Sequence, residues 1–110
     1  MHQESPEMRG CIDSCLACYR ECLSTAMGHC LEMGGQHTEP KHFRLMMACA
    51  EICRTSAHSL LIRAEQYKHT CRACAEFCRQ CADDCERFGD MQTCVDACRK
   101  CADSCEQMAA

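Results

Sequence analysis

The sequence predicts an all-α protein, an antiparallel up-down-up-down four-helix bundle with a thiol-lined core. Three observations carry that expectation. A unit C-x3-C-x2-C-x3-C recurs along the chain. Its steps of four and three residues keep side chains on one face of a helix that turns once per 3.6 residues, as at the a and d positions of a bundle seam. The repeats fall in four stretches joined by short links, and short links make consecutive helices antiparallel neighbours. The chain has 110 residues, which suits a single domain over 1–110.

The first helix is expected over 6–33. Ser5 is its N-cap, Pro6 takes the first helical position and Glu7 lies in the first turn. Its inward row is Cys11, Cys15, Cys18 and Cys22, continuing to Cys30 and Met33. Gly34-Gly35 stops it, one of the pair in the left-handed C′ position, and Gln36 to Thr38 form the turn. The second helix is expected over 39–66, with Pro40 tolerated in the first turn. In HFRLMMACAEIC the repeat spacing falls on His42, Met46, Cys49 and Cys53, and the row runs on through Ala57, Leu60 and Ala64. Nothing from Arg63 to Thr70 is Gly or Pro, and the next turn is expected near Tyr67–His69. The third helix, 69–88, carries Cys71, Cys74, Cys78, Cys81 and Cys85 and ends at Phe88-Gly89. Asp90 caps the fourth, 90–108, whose row is Met91, Cys94, Cys98, Cys101, Cys105 and Met108. Helices of about 20 residues are about 30 Å long.

Large aliphatic residues are scarce, so sulfur fills the axis. Neutral Cys packs as a small hydrophobe, and the metal-free chain is expected to fold. Leu61, Ile62, Phe43 and Met47 lie off the seam of the second helix. They suit packing on another subunit or in a groove between helices.

Sixteen cysteines in a short chain ordinarily suggest a disulfide scaffold. The spacing opposes that, because cysteines three and four apart on one helix project in parallel and bridge only with backbone distortion. The opening MHQESPEMRG lacks a basic n-region and an apolar h-region, which predicts a cytoplasmic protein with free thiols. No run reaches the ~18 apolar residues of a membrane span. A net charge of −4, scattered Lys and Arg, and few aromatics leave no case for nucleic acid.

Rows of thiols on four helices suit a soft metal. Cu(I) favours thiolate and thioether ligands, and charge decides between it and its competitors. If each Cu(I) replaces one thiol proton the interior stays neutral, and shared thiolates build clusters along the axis. A zinc ion with four thiolates is doubly negative and costly to bury without cations, and the inward rows hold no Lys or Arg. Iron–sulfur spacings wrap single clusters and do not resemble continuous rows.

The two ends of such a tube differ. One gathers Met8, Cys11, Leu60, Ala64, Tyr67, Cys71 and Met108; the other gathers His29, Cys30, Met33, His42, Met46, Cys85, Phe88 and Met91. Neutral imidazole and thioether ligands make the second end the expected loading mouth. His42 occupies a ligand slot of the repeat. Met33, Met46 and Met91 suit ligation and packing equally, and Met8 and Met108 are read as core filler. His29 lies beside the seam, while His2, His37, His58 and His69 are read as surface residues.

With these motifs in place, the chain resembles the cytosolic copper storage proteins. The resemblance rests on CIDSCLACYREC, CAEFCRQCADDC and CVDACRKCADSC and spans roughly Met8 to Met108. It implies a four-helix bundle holding many Cu(I) ions, assembled as a homotetramer; no Ser/His/Asp set or paired carboxylates face an apolar cleft, so no enzymatic activity is expected. It implies as storage ligands Cys11, Cys15, Cys18, Cys22, Cys30, Cys49, Cys53, Cys71, Cys74, Cys78, Cys81, Cys85, Cys94, Cys98, Cys101 and Cys105. Histidine and methionine at the open end of such proteins correspond to His42, Met46 and Met91. The second helix departs from the pattern with only two cysteines, which implies a lower capacity. Two rival functions fit the same composition: a thiol redox or disulfide-relay protein using the C-x-x-C pairs, which lack a βαβ context, and a zinc or cadmium buffer.

Overall fold

The computed structural model describes residues 4–110, so His2 lies outside the described residues. Four long helices form an elongated bundle of 50 × 21 × 19 Å. Helix α1 spans Pro6–Thr25 and continues through a π-helical turn, Ala26–Cys30, into a last turn at Leu31–Met33. Helix α2 spans Pro40–Leu61, α3 spans Tyr67–Glu86 and α4 spans Gln92–Ala109. Around the bundle α1 packs on α2 and α4, and α3 packs on the same two. Each helix is therefore flanked by antiparallel neighbours.

The starts of the first two long helices follow from local chemistry. The Ser5 side chain accepts a hydrogen bond from the Met8 amide, with Pro6 at the first position. Pro40 opens α2 after a 3-10 turn over Gly35–Thr38. Gly34, between α1 and that turn, and Gly35, its first residue, both have positive φ, 62° and 55°, a region open to glycine at little cost.

The link between α2 and α3 differs from expectation. It spans 62–66, and α3 begins at Tyr67 rather than at His69. Arg63 takes the left-handed position (φ 58°) that a glycine usually fills. The amide of Arg63 bonds to the Leu60 carbonyl and that of Ala64 to the Ser59 carbonyl, at 3.1 and 3.0 Å. This is the Schellman closure of a helix end. The Arg63 guanidinium also donates to the carbonyls of Leu60 and Leu61, which offsets the ~1–2 kcal/mol cost of a non-glycine residue there. Helix α4 likewise begins at Gln92, and Asp90 makes no cap; its carboxylate is engaged elsewhere.

The core lies on the bundle axis and is mostly sulfur. All sixteen cysteines are buried, at 0–1% exposure, together with Met46, Leu60, Val95, Met91 and several alanines. The π-helical turn keeps the row of α1 intact. In an undisturbed α-helix the repeat spacing beyond Cys22 would select Thr25 and His29. One extra residue in the turn shifts the buried positions to Ala26 and Cys30, as a π-bulge does where a side chain must be re-aimed.

Candidate metal centre

Each cysteine row meets its neighbours in register. Along α1 and α4, Cys11 pairs with Cys105, Cys15 with Cys101 and Cys105, Cys18 with Cys98, and Cys22 with Cys98 and Cys94. The Sγ–Sγ distances run from 3.4 Å for Cys15–Cys105 to 3.7 Å for Cys11–Cys105. Along α2 and α3, Cys49 lies 3.7 Å and Cys53 3.5 Å from Cys78, and Cys74 lies 3.7 Å from Cys53. Contacts also cross the axis diagonally, Cys18 to Cys78 at 3.9 Å and Cys53 to Cys101 at 3.9 Å. These twelve thiols thus form one connected column.

Within it, sulfurs gather into overlapping sets. Cys15, Cys74, Cys101 and Cys105 lie within 4.8 Å of one another, as do Cys53, Cys74, Cys78 and Cys101. Further sets are Cys18, Cys49, Cys53 and Cys78; Cys18, Cys22, Cys49 and Cys98; and the triad Cys11, Cys71 and Cys105. Cys18, Cys49, Cys53, Cys74, Cys78 and Cys101 each belong to two quartets. With metal–thiolate bonds of about 2.3 Å, trigonal coordination separates sulfurs by about 4.0 Å and linear coordination by about 4.6 Å. The observed spacing lies close to the trigonal value and would have to open by about 1 Å for linear coordination. Because the quartets share corners, filled sites would be joined by bridging thiolates.

Burial disfavours the thiolate throughout the core, and most of the cysteines are pushed up, while hydrogen bonds from neighbouring thiols hold Cys11, Cys18, Cys49, Cys74 and Cys94 low. At the Cys30 end, burial pushes the thiol up to about 11, helped by the nearby Cys94 and Asp90. At the opposite end Cys105 acts to lower Cys71, but Cys11 and burial outweigh it and Cys71 stands at about 11. Mid-core, the surrounding thiols, Cys18 first, and burial drive Cys22 upward. At these raised positions an incoming cation would displace a proton from a neutral group and leave the interior uncharged.

His42 is fully buried and sits with Cys30 and Met46, its Nε2 3.7 Å from the Cys30 sulfur, which lies 3.8 Å from the Met46 sulfur. Its Nδ1 meets Asp84 at 2.6 Å, which orients the ring and leaves Nε2 facing the sulfurs. Burial opposes ionisation of Asp84, but His42 and Arg87 hold its carboxyl below the ordinary value. Met91 is buried at the same end of the fold. Met33 departs from expectation: it lies on the last turn of α1 and is 55% exposed, so it does not line the core. His29 also faces outward and bonds to Asp90 at 3.0 Å. His37, read from the sequence as a surface residue, has a side chain only 12% exposed. It bonds to Asp90 at 3.1 Å and packs on Phe88 at 4.4 Å between ring centres. His58 and His69 are exposed.

Sequence reasoning missed Asp84, and it missed Ser56. Ser56 is completely buried, its hydroxyl 3.5 Å from the Cys71 sulfur and 3.8 Å from that of Cys105. The signal was present: Cys49, Cys53, Ser56 and Leu60 repeat the four-three-four spacing. Ser56 therefore stands in a ligand slot, while Ala57, assigned to the row, is buried beside it.

Comparison with known proteins gives the arrangement its context. The sequence model of the family described as copper storage protein (Csp) matches residues 4–110. A crystal structure of the Nmul_A1745 protein from Nitrosospira multiformis is 50% identical over 94% of both chains, with a TM-score of 0.92. The Cu(I)-bound copper storage protein BsCsp3 is 31% identical, covering 94% of this chain and 99% of its own, with a TM-score of 0.86. The apo copper storage protein 3 of Bacillus subtilis is 30% identical over 93% and 98%, with a TM-score of 0.78. A search of curated proteins found no match. With a family match over nearly the whole length and a core of interlocking thiol quartets, the chain belongs to the copper storage protein family.

Proposed function

We infer that this protein stores Cu(I) as a column of thiolate-bridged ions along the bundle axis. The observation that carries the reading is the sharing of cysteines between adjacent quartets. Separate tetrathiolate sites would use each sulfur once, whereas a chain of ions needs sulfurs that serve two neighbours. The protein is a store and not an enzyme, as its family is. The disulfide-relay reading is disfavoured by burial, because exchange requires a thiolate that a partner can reach and the cysteines here are at 0–1% exposure.

The proposed ligands are the sixteen cysteines, with His42 and Met46 acting beside Cys30 and Met91 at the same mouth. Asp84 holds His42 in the orientation that copper needs, as outer partners of metal-bound histidines do. The protein is proposed to work in the cytoplasm and as a homotetramer. An exposed apolar stripe on α1, formed by Leu16, Met27 and Leu31 with Tyr19 and Leu23 between them, supplies a face for subunit contact. No helix among the described residues is long and apolar enough to cross a membrane.

Anaerobic titration with Cu(I) tests the reading. Saturation is expected on the order of one ion per cysteine, with zinc competing poorly. Saturation near four ions, with zinc bound as well as copper, would replace the column with isolated tetrathiolate sites.

A further inference from the structure

We propose that His29, His37 and Asp90 form a second metal site, outside the sulfur column, for a divalent first-row cation bound by two imidazole nitrogens and a carboxylate. The site is assembled from separate segments. His29 comes from the π-helical turn, His37 from the 3-10 turn after Gly34, and Asp90 from the link behind Gly89, whose φ is 78°. Backbone departures from regular helix thus bring the residues together at one end of the bundle.

The geometry is that of converging ligands. Nε2 of His29 lies 3.0 Å from Asp90 Oδ2, and Nε2 of His37 lies 3.1 Å from both Oδ1 and Oδ2. The imidazole rings stand edge to face with centres 5.2 Å apart. Metal–nitrogen and metal–oxygen bonds of about 2.1 Å place two ligands about 3.0 Å apart at right angles and about 3.4 Å apart in a tetrahedron. The N–O separations are hydrogen-bond distances in the metal-free form, and they are also compatible with nitrogen and oxygen ligands at right angles about one ion, as in tetragonal Cu(II) or Ni(II). In the metal-free form ring N–H groups donate to the carboxylate. On binding, each Nε2 gives its lone pair to the ion and the ring proton resides on Nδ1.

The donor set also separates this site chemically from the column. Imidazole and carboxylate suit borderline divalent ions, whereas Cu(I) prefers the sulfurs. Phe88 stands between the two regions, 4.4 Å from the His37 ring and 4.5 Å from the His42 ring. His29 and Asp90 are each 36% exposed, leaving coordination positions open to water. A site of this kind lets the protein hold a divalent ion at its surface while the core holds cuprous ions.

The test uses Ni(II), which shares the tetragonal preference and does not oxidise thiols as Cu(II) does. Protein first saturated with Cu(I), so that the core thiols are occupied, is titrated with Ni(II) by calorimetry. One Ni(II) per chain is expected. His29→Gln and His37→Gln should each weaken binding at least ten-fold, and Asp90→Asn should weaken it while keeping a hydrogen-bond acceptor for the rings. Cu(I) capacity, measured on the same samples, should not change in any variant; a change there bears on the storage reading instead. No Ni(II) uptake by the wild type, or equal uptake by the His37→Gln variant with its helical circular dichroism intact, overturns the proposal.

Discussion

Ser56 offers the sharpest test of the idea that capacity follows the spacing of the repeat. Its side chain is fully buried and lies 3.5 and 3.8 Å from the sulfurs of Cys71 and Cys105. Those two cysteines already form a triad with Cys11. A sulfur in place of the hydroxyl would convert the triad into a quartet like those nearer the middle of the bundle. Ser56→Cys is therefore expected to raise Cu(I) capacity by about one ion per chain, since each added thiol brings one exchangeable proton.

The structural cost should be small. Overpacking by about a methylene costs at most ~1–3 kcal/mol, and the column already tolerates sulfurs 3.4 Å apart. Loss of the hydroxyl's hydrogen bonds costs about 1 kcal/mol. The partner control, Ser56→Ala, loses the same bonds without gaining a ligand. It should leave capacity unchanged and lower the stability of the reduced apo-protein by about 1 kcal/mol. The assay is anaerobic titration against a chromophoric Cu(I) chelator, with thiols counted by denaturing mass spectrometry. A folded Ser56→Cys protein with one more thiol and the same copper end point would refute the reasoning.

Other expectations follow from the same core. Leu60 is fully buried at the end opposite His42, so Leu60→Ala should destabilise the reduced apo-protein by about 2–5 kcal/mol in urea unfolding, with capacity retained. Reduced apo-protein should show a helical far-ultraviolet spectrum, and copper at a thousand times its Kd should add about 4 kcal/mol to its stability by mass action; a coil spectrum before copper would contradict this. Replacing His42, Met46 and Met91 together by Leu should slow loading from a chelated Cu(I) donor while sparing most of the capacity, and loading at the wild-type rate would show that copper enters elsewhere.

The regular parts of the molecule were legible because one periodicity governs them. Cysteines at four-three-four spacing lie on helical faces wherever the helix is undisturbed, and from Cys71 to Cys85 and Cys94 to Cys105 every one is buried. What escaped were places where a side chain does a job usually given to another residue type. Arg63 closes a helix in the left-handed position, so a search for Gly or Pro placed the turn too late. Asp90 has the look of a helix cap, yet two histidines hold its carboxylate. Asp84 sits beside Asp83 in the sequence with nothing to set it apart, and only the antiparallel packing of α2 and α3 reveals that it faces His42. The π-helical turn leaves no obvious mark beyond Gly28, because two steps of four, from Cys22 through Ala26 to Cys30, still read in the sequence as one helical face.

The polarity of the tube is written mainly on α2. Its inward row reads Leu60, Ser56, Cys53, Cys49, Met46 and His42: aliphatic, hydroxyl, two thiols, thioether, imidazole. The facing stretches of α3 and α4 carry thiols almost throughout. Bridging requires an anionic sulfur with more than one lone pair to share, which thiolates provide. As proposed ligands, Met46 and His42 would bind as neutral, terminal groups, so an ion held there would remain exchangeable, while one passed inward to Cys49 and Cys53 would become part of a cluster. Asp84 adds to the difference by fixing the His42 ring before any metal arrives, so the mouth is organised without copper. At the other extreme Leu60 offers no ligand, and its burial closes that end of the row with hydrocarbon. On the proposed path copper would meet ligands of increasing retention and then a dead end, which is the order a store needs if the first ions admitted are to be the last released.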